Sequence, residues 1–266
     1  TRATKEMRSK AKDKPFLHSP YYLNALWRTA LSYSNVYDYK SAQKTFARLA
    51  DDAKNYQKLA LTTDNENPAK FFADRRISAL YQTATFAELN RDIRSALKYY
   101  QRYAAEEPDQ KKAADSLWYI TRMYRSMGNL RKLEGAYSNW RARFGQNKEN
   151  VAKYVYSYWD LAKLYEKKDA RRNRRKIAKL KSDTQKAWIT VGSPKSNEAA
   201  KMAVEFAFEK VDQRYRKKFI PIKGKKTRTP KQAGDALRAL IAKGKNMATE
   251  YLLLTQTYGN PEYSLA

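Results

Sequence analysis

The chain has 266 residues, 42 % of them apolar and 13 % aromatic, which excludes a disordered polymer and supplies enough apolar surface for a sizeable core or several stacked units. Its 55 Lys and Arg against 27 Asp and Glu leave a net charge of +28, and the absence of cysteine excludes disulfides, thiolate metal sites and Cys nucleophiles. With only 8 Gly and 8 Pro there is little material for a turn-rich β fold, so the composition predicts an all-α protein.

Residues 1–19 read as a basic N-terminal arm, with six basic and two acidic side chains in 2–14. The chain does not begin with Met and carries no signal peptide, so any targeting segment is expected to have been removed or to lie outside it. Prolines then punctuate the sequence. Ser19-Pro20, Asn67-Pro68, Ser193-Pro194, Thr229-Pro230 and Asn260-Pro261 each pair a helix-capping residue with a proline, and Pro108-Asp109 places the proline just before a cap. The intervals predict units of about 35 to 50 residues, the range of helical repeats.

Residues 117–140, LWYITRMYRSMGNLRKLEGAYSNW, have helical periodicity on both sides of Gly128-Asn129, which predicts a helical hairpin. Thr121, Tyr124, Leu133, Tyr137 and Trp140 serve as a template. A shift of 37 residues upstream gives Ala84, Ala87, Ala96, Tyr100 and Tyr103, and a further shift of 54 gives Ala30, Tyr33, Ala42, Phe46 and Leu49. Three units therefore share one register over residues 20–150, with extra length between Ala50 and Asn67.

That register resembles the tetratricopeptide repeat. SALKYYQRYAAEEP, with Ala96, Tyr100 and Pro108, matches its second helix, and MYRSMGNL, with Tyr124 and Gly128, matches its turn; only the third unit has the turn glycine. The resemblance covers about residues 20–145 and implies a right-handed α-α superhelix of stacked hairpins. In it, Ala30, Ala42, Ala84 and Ala96 would let helices approach closely, while Phe46, Tyr100, Tyr137 and Trp140 fill the space between hairpins.

From 151 to 266 the units lengthen. Residues 154–192 lack Gly and Pro until Gly192, and Leu161, Leu164, Ile177, Leu180, Thr184 and Trp188 form a seam suited to one long helix or a tight pair. Residues 195–219 make another helix, 220–230 a basic loop, and 231–258 a further helix. Asn260-Pro261-Glu262 starts one more helix, so the chain is expected to continue beyond Ala266. The closing residues KGKNMATEYLLLTQTYGNPEYSLA, with Lys245, Tyr251, Tyr258, Gly259 and Tyr263, resemble the C-terminal part of tetratricopeptide proteins associated with bacterial adventurous gliding motility. This second resemblance implies a scaffold at the cell envelope, in the periplasm or at the outer membrane; an intracellular location is the alternative.

Catalytic patterns are weak. The single histidine, His18, reads as an exposed loop imidazole, so no His-based triad or zinc cluster can form. Ser41 and Lys44 fit a Ser-x-x-Lys spacing, but the partner motifs are missing. Gly224-Lys225-Lys226-Thr227 fails as a phosphate-binding loop, because Phe219 stands where glycine is needed and Lys226 where Ser or Thr is needed. Glu205 and Glu209 share a helix face and read as ordinary surface carboxylates. The protein is expected to be no enzyme, and no cofactor or metal is expected. No apolar run approaches a membrane span, the best being Tyr251–Leu254 beside Glu250.

Charge is the strongest unusual feature. Residues 167–181 hold nine basic side chains and one acidic, and 210–231 hold ten and one. The inward positions Ile177 and Leu180 leave Arg171, Arg172, Arg175, Lys176 and Lys179 pointing into solvent, and with Lys223, Lys225, Lys226 and Arg228 these are the candidate residues for an anionic partner. Two functions fit. The first is a non-enzymatic protein–protein interaction scaffold whose basic surface meets an acidic protein or peptide, an anionic lipid surface or an envelope polymer. The second is an RNA-associated helical-repeat factor, for which YWDLAKLYEKKDARRNRRKI resembles the half-repeats of RNA-processing scaffolds. The scaffold is favoured, because the aromatics needed to stack bases are needed inside the repeats.

Overall fold

A computed structural model describes residues 20–62, 66–145, 147–195, 197–219 and 229–259. Among them the chain is all-α and repeat-like, with ten α-helices and no strand. The helices are α1 Pro20–Asn35, α2 Tyr39–Thr62, α3 Glu66–Leu89, α4 Ile93–Glu106 and α5 Gln110–Ser126. They continue with α6 Leu130–Phe144, α7 Val151–Asp169, α8 Arg174–Thr190, α9 Glu198–Arg214 and α10 Pro230–Tyr258. A π-turn, Tyr215–Phe219, extends α9. Two compact units divide the chain between Ala136 and Tyr137, within α6.

In the first unit the repeat register is visible in the backbone. Tyr37, Arg91 and Gly128, related by the same shifts of 54 and 37, are left-handed at φ 60°, 59° and 65°. Each closes its helix by the same pair of bonds: Tyr37 N to Ser34 O and Asp38 N to Tyr33 O, Arg91 N to Glu88 O and Asp92 N to Ala87 O, Gly128 N to Arg125 O and Asn129 N to Tyr124 O. These are Schellman turns, which satisfy carbonyls that the helix end leaves open. The next residue then caps the following helix: Asp38 accepts from Ser41 N at 3.0 Å, Asp92 from Ser95 N at 3.1 Å and Asn129 from Lys132 N at 3.1 Å. One turn chemistry serves three hairpins, although only the third has glycine.

The template positions do what their residue types require. Ala30, Ala42, Ala84, Ala96, Thr121 and Leu133 are buried, as are Phe46, Tyr100, Tyr137, Leu49, Tyr103 and Trp140. Tyr33 and Tyr124 are not; only Ala87 of that set is enclosed. Phe46 stacks on Phe86 with centroids 5.5 Å apart and takes the edge of Trp27 at 5.1 Å, joining α1, α2 and α3. The extra length between Ala50 and Asn67 goes into α2 and α3, 24 residues each against 17 in α5. Their added turns pack on each other through Tyr56 and Phe72, 5.7 Å apart, and Tyr22 of α1 donates to Asp52.

In the second unit residues 154–192 form the α7–α8 pair rather than one helix. Small residues set its spacing: Ala199, Ala203 and Ala207 of α9 pack with Val155 of α7, Trp188 of α8 and Tyr258 of α10. The end of α6 lies on α7, where Tyr137 Oη donates to the buried Asp160 at 3.0 Å and the Arg141 guanidinium stands 4.0 Å above the Tyr158 ring. Gly145 follows α6 because a Cβ there would come within 2.5 Å of the Tyr154 ring.

Candidate functional site

The α7–α8 connection builds the site. Asp169, the only acid of the tip, is spent on the turn: its Oδ1 accepts from Arg172 N at 2.8 Å and its carbonyl from Asn173 Nδ2 at 2.8 Å. Helix α8 then begins at Arg174 with no side-chain cap from Asn173 and no acid in its first turn. Arg174 and Arg175 thus sit at the positive end of the helix dipole, a placement that costs on the order of 0.3–1 kcal/mol per charge at an exposed site. Lys167 and Lys168, at the favourable end of α7, complete the ring of charge.

The tip cations are unneutralised. Lys167, Lys168, Arg171, Arg172, Arg174, Arg175 and Lys179 are all exposed, and among the described residues none of their side chains makes an ion pair or hydrogen bond. Four of the five tip residues singled out by the sequence are therefore placed together as expected. Lys176 is the correction: half-buried, it donates from Nζ to Tyr165 Oη at 2.9 Å and stands 4.3 Å above that ring, so it braces α8 on α7 instead of pointing into solvent. Ile177 and Leu180 are buried beneath it as the spacing required. Lys167, Lys168 and Arg174 lie in the same charge run and join the tip, which needed only the turn's position to be recognised. Lys223, Lys225, Lys226 and Arg228 lie outside the described residues, as do His18 and the N-terminal arm.

Away from the tip, the same unit pairs some of its cations with carboxylates across helices. Lys163 of α7 lies 2.6 Å from Glu205 and 3.4 Å from Glu209 of α9, while Lys181 of α8 lies 2.6 Å from Glu166 of α7 and also meets Glu209. Trp159 Nε1 donates to Glu205, and both ammonium groups stand over the Phe206 ring, at 5.2 and 4.8 Å. Glu205 and Glu209 are thus not ordinary surface carboxylates: they are half-buried and tie three helices together. Burial pulls both lysines down, but hydrogen bonds and the nearby carboxylates outweigh it, so Lys163 and Lys181 are held above the ordinary lysine value.

A second cation, in the first unit, gave no signal in the sequence. Arg75 of α3 is half-buried, donates from a terminal nitrogen to Asn24 Oδ1 of α1 at 3.0 Å, and lies 5.2 Å from the Trp27 ring and 5.5 Å from the Phe71 ring. Its neighbour Arg76 is paired with Glu106 at 2.5 Å, whereas no carboxylate among the described residues pairs with Arg75.

Among the described residues no group of His, Cys, Asp and Glu is arranged to hold a metal ion, and no helix is long and apolar enough to cross a membrane. No protein-family model matches the chain, and no curated protein matches it.

Proposed function

We propose that this protein is a non-enzymatic interaction scaffold of tetratricopeptide-like hairpins, and that the α7–α8 tip captures an acidic protein partner. The observation that carries the reading is the tip itself. Seven exposed cations are crowded there without an ion pair, while the nearby carboxylates Glu166, Glu205 and Glu209 are engaged between helices. Uncompensated like charge is destabilising, and an acidic partner relieves it. The tip stretch 167–179 holds no aromatic residue on which bases would stack, which favours a carboxylate-rich polypeptide over single-stranded RNA. The Tyr-rich C-terminal resemblance supports a bacterial envelope setting, with a role in gliding motility as its most specific form.

The test uses a labelled poly-glutamate chain and a labelled single-stranded RNA of equal charge, titrated with the protein at several salt concentrations. Arg172, Arg175 and Lys179 are reversed to Glu, leaving Lys176 on its tyrosine. The fold should survive, because exposed substitutions usually shift stability by no more than about 0.5 kcal/mol each. Poly-glutamate affinity should fall at least about ten-fold at low salt, and the salt slope of binding should flatten. Unchanged poly-glutamate binding by the variant would remove the tip from the interaction. Preference for the RNA would replace the scaffold reading with the RNA-associated one.

A further inference from the structure

We infer that the turn-bearing end of the first unit docks on an anionic lipid surface. The inference goes beyond the scaffold reading and does not depend on the α7–α8 tip, which lies in the other unit. Helices of stacked hairpins alternate in direction, so the α1–α2, α3–α4 and α5–α6 turns come to one end. Contacts between neighbouring helices follow that order: Tyr39 stacks on Phe86 with centroids 6.1 Å apart, Gln43 Nε2 donates to Asp92 at 3.1 Å, and Tyr100 meets Tyr119 at 5.7 Å. Each turn exposes a large apolar side chain. Val36 is 70 % exposed and Tyr37 78 % at the first, Leu89 51 % at the second and Met127 53 % at the third. Val36 and Met127 occupy one repeat position, and Leu89 stands one place before it. The α4–α5 connection, at the opposite end, carries Glu106, Glu107 and Asp109 and exposes no large apolar side chain.

Charge frames these side chains. The corresponding stretches 34–44, 88–98 and 125–135 hold eight basic and four acidic residues. Three of the acids are already engaged: Asp38 and Asp92 cap α2 and α4, and Glu88 accepts from Tyr100 Oη at 3.0 Å. The fourth, Glu134, is half-buried. Lys40, Lys44, Arg91, Arg94 and Arg131 are exposed, and among the described residues none of them makes an ion pair. A protein partner needs a continuous, closely packed patch. Here the apolar groups stand on separate turns, with exposed Asn35, Asn90 and Ser126 beside them. A bilayer surface is broad and yielding, so it receives separate points at once: apolar side chains enter the acyl boundary while Lys and Arg stay with the headgroup phosphates. Tyr37, apolar in its ring and polar at its hydroxyl, suits that boundary.

The chain has no cysteine, so Leu89→Cys, Met127→Cys and, at the opposite end, Lys111→Cys can each carry one environment-sensitive dye on the full chain. Vesicles of equal parts phosphatidylglycerol and phosphatidylcholine should brighten the dye at Leu89→Cys and Met127→Cys at least about two-fold and leave Lys111→Cys unchanged. Vesicles of phosphatidylcholine alone should change none of them. At a net charge of +28 the protein adsorbs to many anionic surfaces, so a second variant separates insertion from adsorption. Val36→Ser, Leu89→Ser and Met127→Ser together keep every charge, and should weaken co-sedimentation with the anionic vesicles at least about ten-fold at an unchanged melting temperature. Full vesicle binding by this triple variant, equal brightening at Lys111→Cys, or silence at all three dyes would each overturn the assignment. Brightening without vesicles that rises with protein concentration would also overturn it, giving this end to a second copy of the chain. Reversal of Arg172, Arg175 and Lys179 should leave the dye response at the turns intact, so failure here and failure of the acidic tip are read separately.

Discussion

Arg91 shows how a single residue can be structurally costly and still be tolerated. Its φ of 59° lies in the left-handed region, where a side chain's Cβ crowds the backbone by about 1–2 kcal/mol, yet the turn bonds of Arg91 and Asp92 hold it there. Arg91→Gly should therefore stabilise the protein by about 0.5–1 kcal/mol, the relief of strain less the added freedom of glycine in the unfolded chain. Tyr37→Gly should gain less, because the Tyr37 ring makes an edge contact with Tyr39 at 6.2 Å. Gly128→Ala should lose about 1 kcal/mol: its neighbourhood is open, so only the backbone objects. Thermal melts of the three variants check the set, and a destabilised Arg91→Gly would mean that the arginine side chain contributes more than its backbone costs. The need for a left-handed residue was legible at Gly128 alone. Tyrosine and arginine do not announce that conformation, and only the periodic positions around them located the turns.

At the scale of helices, what was legible depended on separation along the chain. The buried faces repeat every three or four residues, so Ala84, Ala96 and Ile177 could be placed inside from the pattern alone. The ion cluster could not, because its partners stand far apart: Trp159 and Glu205 are separated by 46 residues, Lys181 and Glu209 by 28. Lys176 was misread for a related reason, since its partner Tyr165 lies on the preceding helix. The cluster predicts a specific loss. Glu209→Gln leaves Lys163 and Lys181 with one carboxylate fewer and should cost about 1–2 kcal/mol in urea unfolding at neutral pH, part of the Coulomb gain being screened by solvent. Both lysines are raised on folding, so their contribution is complete below the ordinary lysine value near 10.5 and is lost as pH rises through the higher folded values. The gap between wild type and Glu209→Gln should hold up to about pH 10 and narrow above it; a gap that widens there would deny the lysines their role.

Across the molecule, tyrosines recur in the packed interior. Tyr22, Tyr56, Tyr81, Tyr99, Tyr100, Tyr103, Tyr158, Tyr251 and Tyr258 all have hydroxyls raised above the ordinary value, burial being the largest cause in each. An unfolded tyrosine ionises near 10, so these groups add stability in full below that pH, and the addition is lost as pH rises through the folded values. Phenolate absorbance of the native chain should therefore lag that of the urea-unfolded chain, then rise in step with loss of helical circular dichroism. A native titration that overlays the unfolded one while the helices persist would place these rings in solvent. The helical hairpins were legible from Gly and Pro scarcity and from the shared register, whereas the boundary between the two compact units at Ala136–Tyr137 was not. It falls inside α6, where no proline or break in the helix marks it, and the neighbouring Gly135 is an ordinary helical residue.

The bare tip also governs time. A dense group of exposed cations bends the approach of an acidic partner before any contact forms, raising the association rate well above that of a neutral patch. Side chains held by nothing within the protein and solvated throughout offer little to slow departure. On the proposed scaffold role, such a tip suits frequent, brief encounters, and an acidic partner would be exchanged rather than stored.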